Sequence, residues 1–197
     1  MGLVVLVLGL IVFIGAHAFV TMRPQRAAII ARIGEGWYKG LLGLVSVLGL
    51  ILIGYGFGQY RATGWVDVWY PPGWTTYITQ FLMWPASIFV VAAYLRGNIW
   101  RALKHPMLIG VKTWAVAHLI SNGDLGSILL FGSFLGWAGY DRSTLKRRTD
   151  PGTLSIPAGG LGNDILALVV GTLLYLALGL LFHPLVIGHA VFGKPAF

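Results

Sequence analysis

The sequence predicts an all-α fold, a polytopic membrane helical bundle of about six transmembrane helices forming one domain over residues 1–197. Three observations carry this. Of the 197 residues 57% are hydrophobic and only 10% charged, where soluble domains carry about a quarter charged residues. Mean hydropathy is +0.79, more apolar surface than a soluble fold of this size can cover. The basic residues also cluster in alternate loops, as expected of a chain threaded repeatedly through a bilayer.

A hydrocarbon core of about 30 Å needs roughly 20 apolar residues per helix. The first candidate spans residues 3–21. No positive segment precedes it, and Gly15-Ala16-His17-Ala18 leads into Arg23, so it reads as a retained helix rather than a cleaved signal. The second spans residues 38–57 and the third 74–95, with Pro85 as a kink. The fourth starts at Pro106, a favoured first helical position, and ends at Ser121-Asn122-Gly123. The fifth covers residues 125–140. The sixth covers 163–182 and is broken or kinked at His183-Pro184.

Charge fixes the expected topology. The loops after helices one, three and five hold Arg23, Arg26, Arg32 and Lys39; Arg96, Arg101 and Lys104; and Arg142, Lys146, Arg147 and Arg148. These are eleven of the 14 basic residues, against Arg61 and Lys194 on the other side and Lys112 within helix four. The N-terminus and C-terminus are therefore both expected outside, with the basic loops in the cytoplasm. The formal charge of +8 reads as this anchoring. No soluble basic face offers a nucleic-acid surface. The outer loop 58–73, with Trp65, Trp69, Tyr70 and Pro71-Pro72, suits an interfacial aromatic belt. Glycines Gly40, Gly43, Gly49 and Gly54, and Gly126, Gly132, Gly136 and Gly139, are expected to permit close helix contact.

There is no cysteine, which excludes disulfides, iron–sulfur clusters and thiolate-ligated haem. Carboxylates are scarce at depth, so a di-metal carboxylate site is not expected, and no nucleophile elbow is present. Ionisable groups at membrane depth are costly and mark functional sites. His17, His118 and Lys112 are placed there, with Lys112 expected to snorkel to the cytoplasmic interface. His105, His183 and His189 fall at expected helix ends. At 1.5 Å per residue, His17 lies roughly 9 Å and His118 roughly 21 Å from the cytoplasmic boundary, with His105 at that boundary. His105 and His118 are thirteen residues apart, about 140° around an ideal helix, so they cannot easily serve one metal. His118 shares a face with Asn122, Ala115 and Trp114, and the small Ala115 leaves room for a flat cofactor. Imidazoles on two helices are a standard way to hold haem iron in a bundle. By depth, His17 pairs slightly better with His105 than with His118. The stretch from His105 to Gly110 also echoes His183-Pro184-Leu185-Val186-Ile187-Gly188.

The stretch from His105-Pro106 through Lys112-Thr113-Trp114-Ala115-Val116-Ala117-His118 to Asp124 resembles the signature of the NnrU family, as do Gly15-Ala16-His17-Ala18-Phe19 and the run ending Trp137-Ala138-Gly139. The resemblance covers nearly the whole chain. It implies a bacterial inner-membrane protein linked to denitrification and nitric oxide metabolism, with other denitrification membrane proteins as partners and a small apolar or gaseous ligand. Plant and algal relatives include the zeta-carotene isomerase, a haem b membrane enzyme that isomerises a cis double bond. By position its haem histidines correspond to His17 and His118 here. His105, which matches the family's His-Pro histidine, and Asn122 are further cofactor-binding candidates. Two alternatives stand beside a haem-dependent isomerase or oxidoreductase. One is a non-catalytic accessory subunit. The other is a membrane methyltransferase, resembled through His-Pro-x-x-x-Gly, although its usual C-terminal cofactor motifs are absent.

Overall fold

The computed structural model describes residues 1–147 and 159–192; Arg148 and Lys194 of the charge reading lie outside them. The described chain is helical: α1 (Gly2–Thr21), α2 (Arg23–Ile33), α3 (Glu35–Ala62), α4 (Thr75–Leu95), α5 (Asn98–Leu103), α6 (Pro106–Ser121), α7 (Leu125–Lys146) and α8 (Leu161–Ala177), which continues as a π-helical segment, Leu178–Ile187. Among the described residues four helices are long and apolar enough to cross a membrane: Gly2–Thr21, Glu35–Ala62, Thr75–Leu95 and Leu161–Ile187. Val4, Ile11, Leu44, Ile51, Leu173 and Leu185 on these helices are exposed, as lipid-facing side chains should be.

Several boundaries differ from the sequence reading, each for a local reason. The first basic loop is itself mostly helix. Pro24 in the first turn of α2 has the fixed φ of a helix start and needs no amide partner there. Gly34, at φ 84°, ends α2, and Glu35 opens α3 with a 2.7 Å ion pair to Lys39. α4 runs unbroken through Pro85. The last helix does not break at His183-Pro184. Proline lacks an amide and its ring crowds the carbonyl four residues back. The wider π turn, bonding five residues back, accommodates it, and Gly188 at φ 74° caps the segment with its amide on the His183 carbonyl.

The contacts group the chain into two compact units: Met1–Trp69 with Asp124–Trp137, and Tyr70–Gly123 with Ala138–Phe197. In the first unit α1 lies against α3 around Leu6, Leu10 and Ile53, with Phe13, Leu129 and Phe134 packed on them. Lipid gives helices little hydrophobic reason to associate, so close van der Waals fit must hold them. Glycine supplies that fit. A Cβ on Gly9 would come within 2.6 Å of the Ile53 amide nitrogen, and one on Gly49 within 2.9 Å of Phe13; Gly2 and Gly56 abut the backbones of Tyr60 and Leu6. Gly126 seats the Tyr60 ring, whose hydroxyl accepts from the Val66 amide at 2.9 Å. The Leu125 amide donates to the Val66 carbonyl at 2.9 Å, so the aromatic loop is tied to the start of α7. Gly40, Gly43, Gly54, Gly132, Gly136 and Gly139 have no described atom within 4 Å of such a Cβ. The spacing rule finds small residues but not the face a neighbour covers, and Gly2, Gly9 and Gly56 do the packing instead.

In the second unit α4 is the central helix, packed by α6 and α8. Gly110 meets Ala86 and Val90, Gly171 meets Ile88, and Ala92, Ala115, Ala117 and Ala167 are buried between the helices. Polar bonds cross these contacts: Thr79 donates to the Ala117 carbonyl at 2.7 Å and the Trp84 indole to Thr172 at 2.9 Å. At the other end of α4, Arg96 and Lys104 take left-handed φ of 50° and 61° on either side of α5. That strained turn is gripped by α8. Asn163 donates to the Leu95 carbonyl at 2.6 Å, and the buried Asp164 carboxylate accepts from Asn98 at 2.7 Å and from the Ile99 amide at 2.9 Å.

Candidate functional site

Three half-buried histidines sit inside helices, and each is oriented in the same way. His17 Nδ1 is 2.8 Å from the Phe13 carbonyl, His118 Nδ1 is 2.9 Å from that of Trp114, and His183 Nδ1 is 2.8 Å from that of Leu178. A carbonyl oxygen only accepts, so each Nδ1 carries a proton. That arrangement is the one a histidine adopts when Nε2 ligates a metal and the other nitrogen is held by the backbone. The first two carbonyls lie four residues back, where a helical side chain reaches naturally. The third lies five back, because His183 is in the π segment.

Within the second unit the rings of His118 and His183 lie 6.3 Å apart between centroids, with their planes 21° from parallel. Each is walled by an aromatic neighbour: Trp114 at 5.6 Å from His118, and Phe182 at 5.9 Å and 80° from His183. The Thr79–Ala117 bond sets α4 beside the last turn of α6 at this level. On α4 the next residue, Gln80, donates to the Val191 carbonyl at 2.7 Å. The chain beyond Gly188 therefore folds back on the helices, and Phe192 packs on Gly179 and Tyr175. A polar layer formed by Thr79, Gln80, His118 and His183 thus lies in an otherwise apolar bundle.

In the first unit His17 stacks on Phe13 at 4.2 Å and meets the Trp137 ring edge-on at 5.5 Å. The Trp137 indole nitrogen is buried without a hydrogen-bond partner. Beside this face of α1, an apolar groove of about 470 Å³ is lined by Leu10, Ile14, Gly15, Leu129 and Ser133 among others.

Residues 5–191 match the family described as NnrU protein. The chain belongs to the NnrU family. Comparison with curated proteins and with solved structures finds no match. In this NnrU chain, His105 is the residue preceding α6, with its backbone carbonyl accepting from the Ile109 amide at 3.3 Å. α6 runs without interruption from Pro106 to Ser121, so the Cα atoms of His105 and His118 are about 20 Å apart along its axis. The two cannot share a metal. Asn122 ends α6: its amide nitrogen donates to the His118 carbonyl at 2.8 Å and lies 3.2 Å from Ser121 Oγ. Asn122 thereby fixes the turn that carries His118. Among the described residues no three His, Cys, Asp or Glu side chains converge as a metal-binding set.

From sequence His183 is expected at a helix end, whereas in the structure it lies within the π segment beside His118. The signal was present in the repeated His-Pro-x-x-Ile-Gly pattern. However, the two copies serve opposite purposes in the NnrU chain: Pro106 starts a helix, whereas Pro184 lies within one.

Proposed function

We propose that this NnrU member is a haem b-binding protein of the bacterial inner membrane, linked to denitrification and nitric oxide metabolism. Its chemistry is redox-gated and acts on a small apolar or gaseous ligand. The observation that supports this reading is the common orientation of the histidines inside the helices, each with Nδ1 tied to a backbone carbonyl, as the second nitrogen of a metal-ligating histidine usually is. The donor set, imidazoles in an apolar bundle without cysteine, fits haem iron. Resemblance within the family points to His17 and His118 as ligands. The iron supplies a redox change. The protein orients the imidazoles, excludes water, and in Trp137 holds an unpartnered buried donor next to His17.

The topology that goes with this reading has six spans and both termini outside. It counts α6, 16 residues or about 24 Å, and the apolar part of α7 as spans beside the four long helices. Because the chain has no cysteine, single cysteines introduced at Gly34 and Thr63 report sidedness directly. Labelling of only Thr63→Cys from outside supports the topology, and the reverse rejects it.

The functional test is the oxidised and reduced absorption spectrum of protein purified after haem-replete expression, beside His17→Ala, His118→Ala and His105→Ala. A Soret band that is lost or shifted in His118→Ala supports the reading; no band in wild type overturns it. A second reading, a non-catalytic accessory subunit of the denitrification machinery, rests on the scarcity of other reactive side chains, with no cysteine and only six acidic residues in the sequence. It predicts that His17→Ala and His118→Ala preserve function in cells while substitutions at packing glycines such as Gly56 abolish it.

A further inference from the structure

We infer that the charged segment between α1 and α3 holds the headgroup phosphate of an anionic phospholipid, with the Arg26 guanidinium as the binding group and the Tyr38 ring as its support. The inference is independent of the haem reading. It starts from two polar groups without partners. Arg26 Nε and Tyr38 Oη are both buried, and neither has a hydrogen-bond partner. Tyr38 as a whole is only 6% exposed. Buried polar groups in folded proteins are almost always bonded, so two such groups at one junction need a reason. They do share a junction: the Arg26 guanidinium carbon stands 5.7 Å from the centre of the Tyr38 ring.

What the junction lacks is an acceptor. The stretch from Met22 to Leu41 carries Arg23, Arg26, Arg32 and Lys39 against a single acid, Glu35. That acid is taken by Lys39 at 2.7 Å, in an exposed pair. Among the described residues Arg26 makes no ion pair. Arginine offers a planar fork of donors that matches two phosphate oxygens at once. A guanidinium laid on an aromatic face is already oriented, so less freedom is lost when the anion arrives. The tyrosine hydroxyl is a further donor at the same junction. A donor set of this kind calls for an anion with several oxygens.

Position in the fold decides the source of that anion. α1 ends at Thr21, α2 begins at Arg23 and α3 begins at Glu35, and α2 touches both of the long apolar helices it joins. The charged helix therefore caps the end of α1 and the start of α3, at the level where lipid headgroups lie. Trp37, Ile29 and Ile33 are exposed on this cap. Basic and apolar side chains mixed in this way place a helix at the boundary between headgroups and acyl chains. Each basic residue near an anionic surface raises its attraction by a factor of about five. A zwitterionic headgroup lacks that advantage, because its own cation competes with Arg26 for the phosphate.

The experiment is native mass spectrometry of the full-length protein in a neutral detergent. The protein is incubated with phosphatidylglycerol, with phosphatidylcholine, and with phosphatidylglycerol in competition with inorganic phosphate. Hydrogen bonds to charged groups correspond to about a 10- to 100-fold change in affinity. Wild type should therefore hold one phosphatidylglycerol at least about tenfold more tightly than phosphatidylcholine, and equimolar inorganic phosphate should leave that lipid bound. Arg26→Gln should remove this preference. Arg26→Lys keeps the charge but loses the fork and should lose most of it. Because lysine keeps charge and bulk, its result stands even if Arg26→Gln lowers the yield of folded protein. Arg32→Gln removes the same charge from an exposed position and should cost no more than about fivefold. The inference is overturned if wild type does not prefer phosphatidylglycerol, if Arg26→Lys binds as wild type does, or if Arg26→Gln loses no more than Arg32→Gln. Displacement of the lipid by inorganic phosphate likewise overturns it, since the ligand would then be the free anion.

Discussion

Replacing Asp164 by alanine should loosen the second unit at the end far from His118 and His183. The Asp164 side chain is 7% exposed, and its two oxygens accept separately, one from Asn98 and one from the Ile99 amide. Hydrogen bonds to a charged group contribute about 1.5–3 kcal/mol each, so the gross loss is roughly 3–6 kcal/mol. Returning a buried carboxylate to no charge at all recovers part of its desolvation. The net expectation is about 2–4 kcal/mol. For a chain of this length that is roughly 4–16 °C in unfolding temperature. Asp164→Asn keeps one acceptor oxygen and should lose about half as much. The assay is thermal unfolding in a fixed detergent, followed by tryptophan fluorescence. Trp100 lies inside α5 itself, next to Ile99, so the local turn reports on its own release. Gly97 and Gly159 come so close at this turn that a Cβ on Gly159 would stand 2.7 Å from the Gly97 backbone, leaving no room for repacking to compensate. Wild-type stability in Asp164→Ala, or equal losses in the alanine and asparagine variants, would refute the assignment of the carboxylate as a two-point clamp.

Three further outcomes follow from the same geometry. Gly56→Leu should abolish the folded first unit, because even a Cβ there collides with the Leu6 backbone, while Gly54→Leu, with nothing within 4 Å, should leave yield and monodispersity on size-exclusion chromatography unchanged. Thr79→Val removes the 2.7 Å bond to Ala117 and should cost about 0.6 kcal/mol, the average for such bonds between membrane helices; a loss above about 2 kcal/mol in a denaturant titration would mean Thr79 does more than join α4 to α6. Gly188→Ala strains a residue at φ 74° and should cost about 1 kcal/mol in a denaturant titration without changing helix content by circular dichroism.

Much of the fold was legible because bilayers make few demands and make them strictly. Apolar runs near 20 residues mark helices whatever their neighbours, and the 20-residue α1 and 21-residue α4 fall within a residue or two of the expected bounds. Charged segments were harder to read. The turn at residues 22–34 looked like a loop because it is basic, yet Pro24 and Gly34 give it a helix start and stop. Polar surface helices follow such local signals rather than hydropathy. Packing was harder still. Gly40, Gly43 and Gly54 repeat at helical spacing on α3 as convincingly as Gly49 and Gly56 do, and only the position of α1 selects the latter pair.

The histidines show where sequence reading ends and why. His17 and His118 could be singled out because each lies inside an apolar helix, where an ionisable group needs a reason. His183 could not, since a following proline in an α-helix normally marks an end, and an end at the interface explains a histidine without further cause. The π segment removes that explanation. It carries the helix past Pro184, ties His183 Nδ1 to Leu178, and brings the ring to 6.3 Å from His118. Without the wider turn His183 would be an interfacial residue like His105, whose own His-Pro pair does begin a helix. One hexapeptide pattern thus has two structural outcomes, decided by whether the proline opens a helix or is absorbed within one. Only the second outcome puts a histidine where another imidazole can meet it.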